Sequence, residues 1–66
     1  MRITVNGSPA ECPERLSVDQ LLRHLNLPVG RVAVERNREL VRKDAHERVE
    51  VRSGDVFEIV TFVGGG

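Results

Sequence analysis

The stretch "SVDQLLRHLN", residues 17–26, carries the clearest helix signal in a chain whose other segments are short and strand-like. Ser17 can cap the amides of the first turn while Gln20 reaches back, which is the pattern of a capping box. The helix is predicted to end at 26–28, because Pro28 disfavours helical geometry in the residue before it. One apolar stripe at helical spacing is predicted to pack on a sheet, and it comprises Val18, Leu21, Leu22 and Leu25.

On the N-terminal side of the helix, the sequence predicts a β-hairpin. "RITVN" (2–6) alternates polar and apolar residues, so Ile3 and Val5 share one face of a half-buried strand. Asn6-Gly7 follows as a two-residue turn, since both residues tolerate positive φ. The return strand, 9–12, includes Pro9, which has no N–H, and is therefore predicted at a sheet edge.

On the C-terminal side, the sequence predicts three more strands. "RVAVERN" (31–37) and "ELV" (39–41) are separated by a turn at Asn37-Arg38. The polar segment 43–52 is predicted to form a helical turn and a loop. After a turn at 53–55, "VFEIVTFV" (56–63) is the longest strand signal in the chain.

With one helix and five strands, the simplest packing places the helix across one face of a mixed sheet. The first and last strands are predicted to lie side by side at its centre, because each needs a covered inner face. The fold class is therefore α+β, in the ubiquitin-like β-grasp arrangement. The residues expected to meet in the core are Ile3, Val5, Phe57 and Ile59 from the sheet, with Leu21, Leu22 and Leu25 from the helix.

Composition restricts the function. The chain has 66 residues, a formal charge of zero and only two aromatic residues, which argues against a nucleic-acid binder. Its apolar runs are shorter than the roughly 20 residues that a membrane-spanning helix needs. The single cysteine, Cys12, suggests a reduced, cytoplasmic setting. We expect one domain over 1–63, monomeric when free, followed by a flexible tail over 64–66.

No catalytic or metal site is predicted. His24 and His46 lack a sequence partner that would position them as bases and are interpreted as solvated surface residues. Cys12 has no feature nearby that would lower its pKa and is interpreted as a small, half-buried strand residue. The carboxylates Asp44, Glu47 and Glu50 alternate with basic residues, which indicates compensated surface charge rather than a metal site.

Two surfaces are candidates for docking. If Phe57 and Ile59 face the core, the period of a strand sends Glu58, Val60 and Phe62 outward. With Val63, these three residues are predicted to bind a partner. The basic segment "RNRELVRK" (36–43) is either a solvated hairpin or a docking edge for an acidic partner, and the sequence leaves both interpretations open.

The sequence closes on Gly64, Gly65 and Gly66. Without Cβ atoms, this backbone is thin enough to thread a narrow channel in another protein and leaves the terminal carboxylate unhindered. A free carboxylate is a poor electrophile, so acyl chemistry at this position would first require activation, for example to an acyl-adenylate.

The whole chain resembles the ThiS-type sulfur carriers of thiamine biosynthesis. The most specific part is "GD-x-x-EIV-x-FVGGG" at 54–66, and the Asn6-Gly7 turn and "VAVERN" agree with it. The chain departs from the family at Arg38, where glycine is common, and at Arg42, where proline is common. Both departures lie outside the tail.

The resemblance implies a mechanism in which this chain binds no cofactor. A ThiF-type adenylyltransferase would use ATP and magnesium to adenylate the carboxylate of Gly66. Sulfur passed through a persulfide would then give a thiocarboxylate, which a ThiG-type thiazole synthase would use for the thiazole ring. Three alternatives remain: the related small subunit of molybdopterin synthase, a ubiquitin-like modifier, and a β-grasp interaction module whose tail has no chemistry.

Overall fold

The computed structural model of the chain describes residues 1–62. Val63 and the predicted tail at 64–66 lie outside the described residues, and so does the predicted domain boundary. The strands and helices are β1 (Arg2–Val5), β2 (Ser8–Glu11), α1 (Val18–His24), β3 (Val32–Arg36), β4 (Glu39–Val41), a 3₁₀ turn (Lys43–Ala45) and β5 (Val56–Thr61).

The five strands form one mixed sheet in the order β2-β1-β5-β3-β4. β5 lies at the centre, parallel to β1 and antiparallel to β3. β2 is an edge strand, and its Pro9 pairs with Thr4. The predicted central pair and the predicted edge strand are both confirmed.

Helix α1 begins as the sequence predicts. The Ser17 hydroxyl accepts from the Gln20 amide at 3.1 Å, and the Gln20 side chain accepts from the Ser17 amide at 2.9 Å. The predicted cause of the helix end is incomplete, because the helix already stops at His24. Asn26 adopts a left-handed φ of 60°, and the Leu27 amide donates to the Leu22 carbonyl, so the chain turns before it reaches Pro28.

Two hairpin turns require positive φ at both central residues. Asn6 and Gly7 have φ values of 50° and 83°, and Asn37 and Arg38 have values of 52° and 69°. Glycine and asparagine adopt this region readily, but a side chain like that of Arg38 costs about 1 kcal/mol there. Arg38 therefore strains the β3–β4 turn locally.

The hydrophobic core lies between α1 and the inner face of the sheet. Phe57 is fully buried, as are Leu21 and Leu22 of the helix. Leu25 and Val5 are partly buried and pack against the same cluster, so the predicted core is confirmed. The buried cluster consists of Ile3, Cys12, Val18, Leu21, Leu22, Val32, Val34, Val41, Val51, Phe57 and Ile59.

The prediction that His46 is a solvated surface residue is wrong. Its side chain is only 3% exposed, and Nε2 donates to the Val41 carbonyl oxygen at 3.2 Å. Its own carbonyl accepts from the Asp19 amide of α1 at 2.9 Å. The 3₁₀ turn carries His46 inward beneath the start of the helix, although its charged neighbours suggested exposure. His46 therefore joins the β4–β5 connection to α1.

Candidate functional site

The outward side of β5 carries three of the residues that the sequence predicts to bind a partner. Glu58 is exposed, Val60 is 59% exposed and Phe62 is 57% exposed. Phe57 and Ile59, at the alternate positions, are buried. Of the four residues predicted to bind a partner, these three therefore share one accessible surface, and Val63 lies outside the described residues.

Strands β3 and β4 extend this surface sideways. In the β3–β5 register, Ala33 lies opposite Val60 and Glu35 lies opposite Glu58. Leu40 of β4 lies opposite Glu35 and is 68% exposed. We call the surface formed by Ala33, Glu35, Leu40, Glu58, Val60 and Phe62 the outer face. Exposed apolar groups that cluster in this way mark interaction sites in soluble proteins.

The start of β5 is fixed by Asp55, which the sequence suggested only as a turn residue. The Asp55 carboxylate accepts from Arg36 Nε at 2.7 Å, from the Arg52 amide at 2.8 Å and from Asn37 Nδ2 at 3.1 Å. Asn37 Oδ1 in turn accepts from the Val56 amide at 2.9 Å. Burial raises the pKa of Asp55, but these hydrogen bonds and the Arg36 charge outweigh it, and the pKa lies below its ordinary value.

The middle and end of β5 are also held. The Asn6 side chain accepts from the Ile59 amide at 2.8 Å and donates to the Ile59 carbonyl at 3.1 Å, which continues the pairing beyond the end of β1. The Phe62 amide donates to the Arg31 carbonyl at 2.8 Å. The strand that leads toward the glycine segment is thus fixed along its whole length.

Replacement of Asp55 by Asn is expected to destabilise the protein at neutral pH by about 1–3 kcal/mol, because the charged acceptor of three donors is lost. Because the pKa of Asp55 is lowered by folding, its charge stabilises the folded protein at pH values above the unfolded-chain pKa of about 3.9. This stabilisation is lost as the pH falls through the pKa that Asp55 has in the folded protein. The difference in melting temperature between wild type and Asp55→Asn should therefore shrink between about pH 5 and pH 2.

Thermal unfolding followed by circular dichroism across this pH range measures the effect. Asp44→Asn is the matched control, because Asp44 is 70% exposed and its contact with Arg42 Nε is 3.5 Å. If the difference in melting temperature between wild type and Asp55→Asn were the same at all pH values, the charge of Asp55 would not contribute to the stability of the folded protein.

The remaining candidate residues are not brought together into a site. The interpretation of Cys12 as a half-buried strand residue is wrong, because Cys12 lies just after β2 and is buried in the core. Burial raises the pKa of its thiol, which disfavours the nucleophilic thiolate. His24 is exposed on the helix, as predicted. Within residues 1–62, no group of three or more histidine, cysteine, aspartate and glutamate side chains is placed to hold a metal ion. In that same part of the chain, no helix is long and apolar enough to cross a membrane.

Comparison with known proteins connects this geometry to one family. Residues 3–66 match the sequence model of the ThiS family. The chain belongs to the ThiS family. The crystal structure of the thiamine biosynthesis protein ThiS from Geobacter metallireducens superposes with a TM-score of 0.85 and 38% identity, and the match covers 100% of both chains. The β-grasp prediction is thereby confirmed.

The relatives that match the chain differ widely in length. The sulfur carrier protein ThiS of Bacillus subtilis is 44% identical over 50 residues, which is 76% of each chain. The thiazole synthase of Paramagnetospirillum magneticum is 41% identical over 66 residues, which is 100% of this chain and 20% of that protein. The chain thus spans only about a fifth of the length of the thiazole synthase that it matches.

Proposed function

We propose that the protein is a sulfur carrier in thiamine biosynthesis, with Gly66 as the residue that carries sulfur. The observation that carries this proposal is the outer face, where Val60 and Phe62 are exposed on and just after the fixed central strand β5, four and two residues before Gly64 in the sequence. Membership of the ThiS family supports the same function. In this proposal the outer face is held by a partner while the glycine segment reaches into the partner's active site.

The proposed chemistry takes place at the carboxylate of Gly66. One carboxylate oxygen attacks the α-phosphorus of ATP, with magnesium in the partner's site, and pyrophosphate leaves. A persulfide sulfur then displaces AMP from the acyl carbon, and a thiol cleaves the S–S bond to leave the thiocarboxylate. Glycine suits this role because no side chain obstructs approach to the acyl carbon.

Two protein partners follow from this chemistry. A ThiF-type adenylyltransferase would activate Gly66, and a thiazole synthase of the ThiG type would receive the sulfur. The thiazole synthase partner is supported by two thiazole synthases, from Paramagnetospirillum magneticum and Magnetococcus marinus, that each align with the whole chain over a fifth of their length. The presence of a similar sequence within these enzymes supports a thiazole synthase as a partner of the separate chain.

In this proposal the catalytic groups belong to the partners and not to this chain. The buried Cys12 thiol and the exposed His24 are not positioned near a common reacting atom, and His46 is occupied with the Val41 carbonyl. The unpaired Cys12 also agrees with the reducing cytoplasm as the place where the carrier works.

Intact mass spectrometry tests the proposed function. The protein is incubated with a ThiF-type adenylyltransferase, magnesium, ATP and a persulfide sulfur source, and the mass gain that corresponds to the exchange of one oxygen for sulfur is followed. We expect this gain at Gly66, located by fragmentation, and its disappearance when thiazole synthase and its substrates are added. A chain that stays unmodified with an active adenylyltransferase would exclude the proposal.

The substitution Phe62→Asp is expected to weaken binding to the adenylyltransferase at least about 30-fold, since an aromatic residue at the centre of an interface typically contributes about 2 kcal/mol or more. Stability should change by only about 0.5 kcal/mol, because the side chain is exposed. Isothermal titration calorimetry without ATP gives the affinity.

Thr61→Asp is the matched control for this prediction. It adds the same charge one residue earlier, at an exposed position. Because Thr61 pairs with the buried Val32, it lies on the opposite side of the sheet from Phe62. Equal losses of affinity in the two variants would mean that charge near the strand end matters and that the aromatic contact does not.

A further inference from the structure

The outer face contains two carboxylates where a sheet ordinarily avoids them. Glu35 and Glu58 are directly opposite each other on β3 and β5, and both are exposed. Directly opposed residues have Cβ atoms about 5 Å apart, and like charges at this separation destabilise a sheet. The stability of the unbound chain therefore does not explain why glutamate occupies both of these positions.

Elsewhere on the same side of the sheet, an acidic residue lies opposite a basic one. Arg2 of β1 lies opposite Glu11 of β2, and their side chains form an ion pair with an Nε–Oε2 distance of 2.9 Å. In contrast, neither Glu35 nor Glu58 forms an ion pair with another residue among 1–62. Two uncompensated negative charges thus remain in the middle of the outer face.

The surroundings of the pair indicate what would bind there. Leu40 of β4 lies opposite Glu35, and Ala33 and Val60 form the next pair along β3 and β5. On the β1 side, the Asn6 side chain is already hydrogen-bonded to the backbone of Ile59. Mg²⁺ or Ca²⁺ requires about six or more oxygen ligands, and these apolar groups supply none. A cationic side chain of a protein fits better, because its stem can pack on Leu40 and Val60 while its charge reaches both carboxylates.

We propose that Glu35 and Glu58 together bind an arginine that the ThiF-type adenylyltransferase places on the outer face. The planar guanidinium has five donors and can bridge two carboxylates, which the compact ammonium of lysine does less well. This inference rests on the proposed function, since it names the contact by which the activating enzyme holds the carrier. In the complex the bound cation removes the repulsion between the carboxylates.

The proposal predicts opposite effects on the free chain and on the complex. Glu35→Gln and Glu58→Gln should each raise the melting temperature of the free chain by about 1–4 °C, because one of two repelling charges is removed. Each should also weaken binding to the adenylyltransferase about tenfold or more, because a charged partner of the arginine is lost.

The experiment measures both quantities on four proteins: wild type, the two single variants and Glu47→Gln. Glu47 provides the matched control, because it is an exposed carboxylate in the turn after the 3₁₀ segment, away from the outer face. Glu47→Gln changes the net charge equally and should leave the affinity within about twofold of wild type. Calorimetry without ATP gives the affinity, so the result does not depend on the chemistry at Gly66.

The possible results separate the inference from the proposed function. Unchanged affinity in Glu35→Gln and Glu58→Gln, or equal losses in Glu47→Gln, would overturn the inference, and the thiocarboxylate assay would still decide the function. A specific loss of affinity would support the inference. If wild type showed no measurable binding to the enzyme, the inference would be overturned together with the partner on which it rests.

Discussion

Deletion of Gly66 is expected to reduce thiocarboxylate formation by about 100-fold or more, because a displacement of only about 1 Å at a reacting centre can cost this much. The deletion withdraws the carboxylate by one residue, which is about 3.3 Å in an extended chain. The measurement is the rate of the oxygen-to-sulfur mass gain with a ThiF-type adenylyltransferase, magnesium, ATP and a persulfide.

Gly65→Val tests the same idea without changing the length. A β-branched side chain stiffens the backbone and widens it where a narrow channel must admit it, so the rate should fall here as well. Thermal unfolding of both variants is the control and should match wild type, since the residues of the buried cluster are the same in all three proteins. Modification of the deletion variant at the normal rate would remove Gly66 as the sulfur-carrying residue.

Phe57→Ala is expected to destabilise the protein by about 3–5 kcal/mol, through lost apolar contacts and the cavity left behind. Phe57 is fully buried at the centre of the sheet and packs in the cluster that joins the sheet to α1. A domain of 66 residues has a total stability of roughly 3–10 kcal/mol, at about 0.05–0.15 kcal/mol per residue, so the substitution should remove from about a third to all of it. Urea denaturation followed by circular dichroism gives the free energy of unfolding.

The chain supplies its own control for this prediction. Phe62→Ala makes the same chemical change five positions along the chain, at a side chain that is 57% exposed. It should alter the free energy of unfolding by only about 0.5 kcal/mol. Similar costs for the two substitutions would contradict the placement of Phe57 inside and Phe62 outside.

The architecture could be predicted from sequence because its signals are local. The Ser17–Gln20 capping box, the Asn6-Gly7 turn and the alternation along β5 each depend on neighbouring residues. The central pairing of the first and last strands follows from the need to cover the apolar faces of both.

Features that depend on contacts between distant segments were missed. The charged neighbours of His46 indicate exposure, yet its environment is set by Val41 and by the start of α1. Asp55 and Arg36 are 19 residues apart, and their ion pair exists only because β3 and β5 are adjacent. The opposition of Glu35 and Glu58 depends on the register of two strands, which periodicity alone does not fix.

The central position of β5 has a consequence for how the protein is made. A ribosome synthesises β1 to β4 before β5, so until residues 56–61 emerge, both β1 and β3 have an open edge where β5 will pair. Unpaired edges of this kind attract other chains during synthesis. The pairing of β1 with β5 also spans most of the sequence and therefore closes late. The edges of β1 and β3 stay unpaired until β5 has been synthesised, because β5 lies between them in the sheet. The strand that precedes the glycines in the sequence is therefore also the strand that completes the sheet.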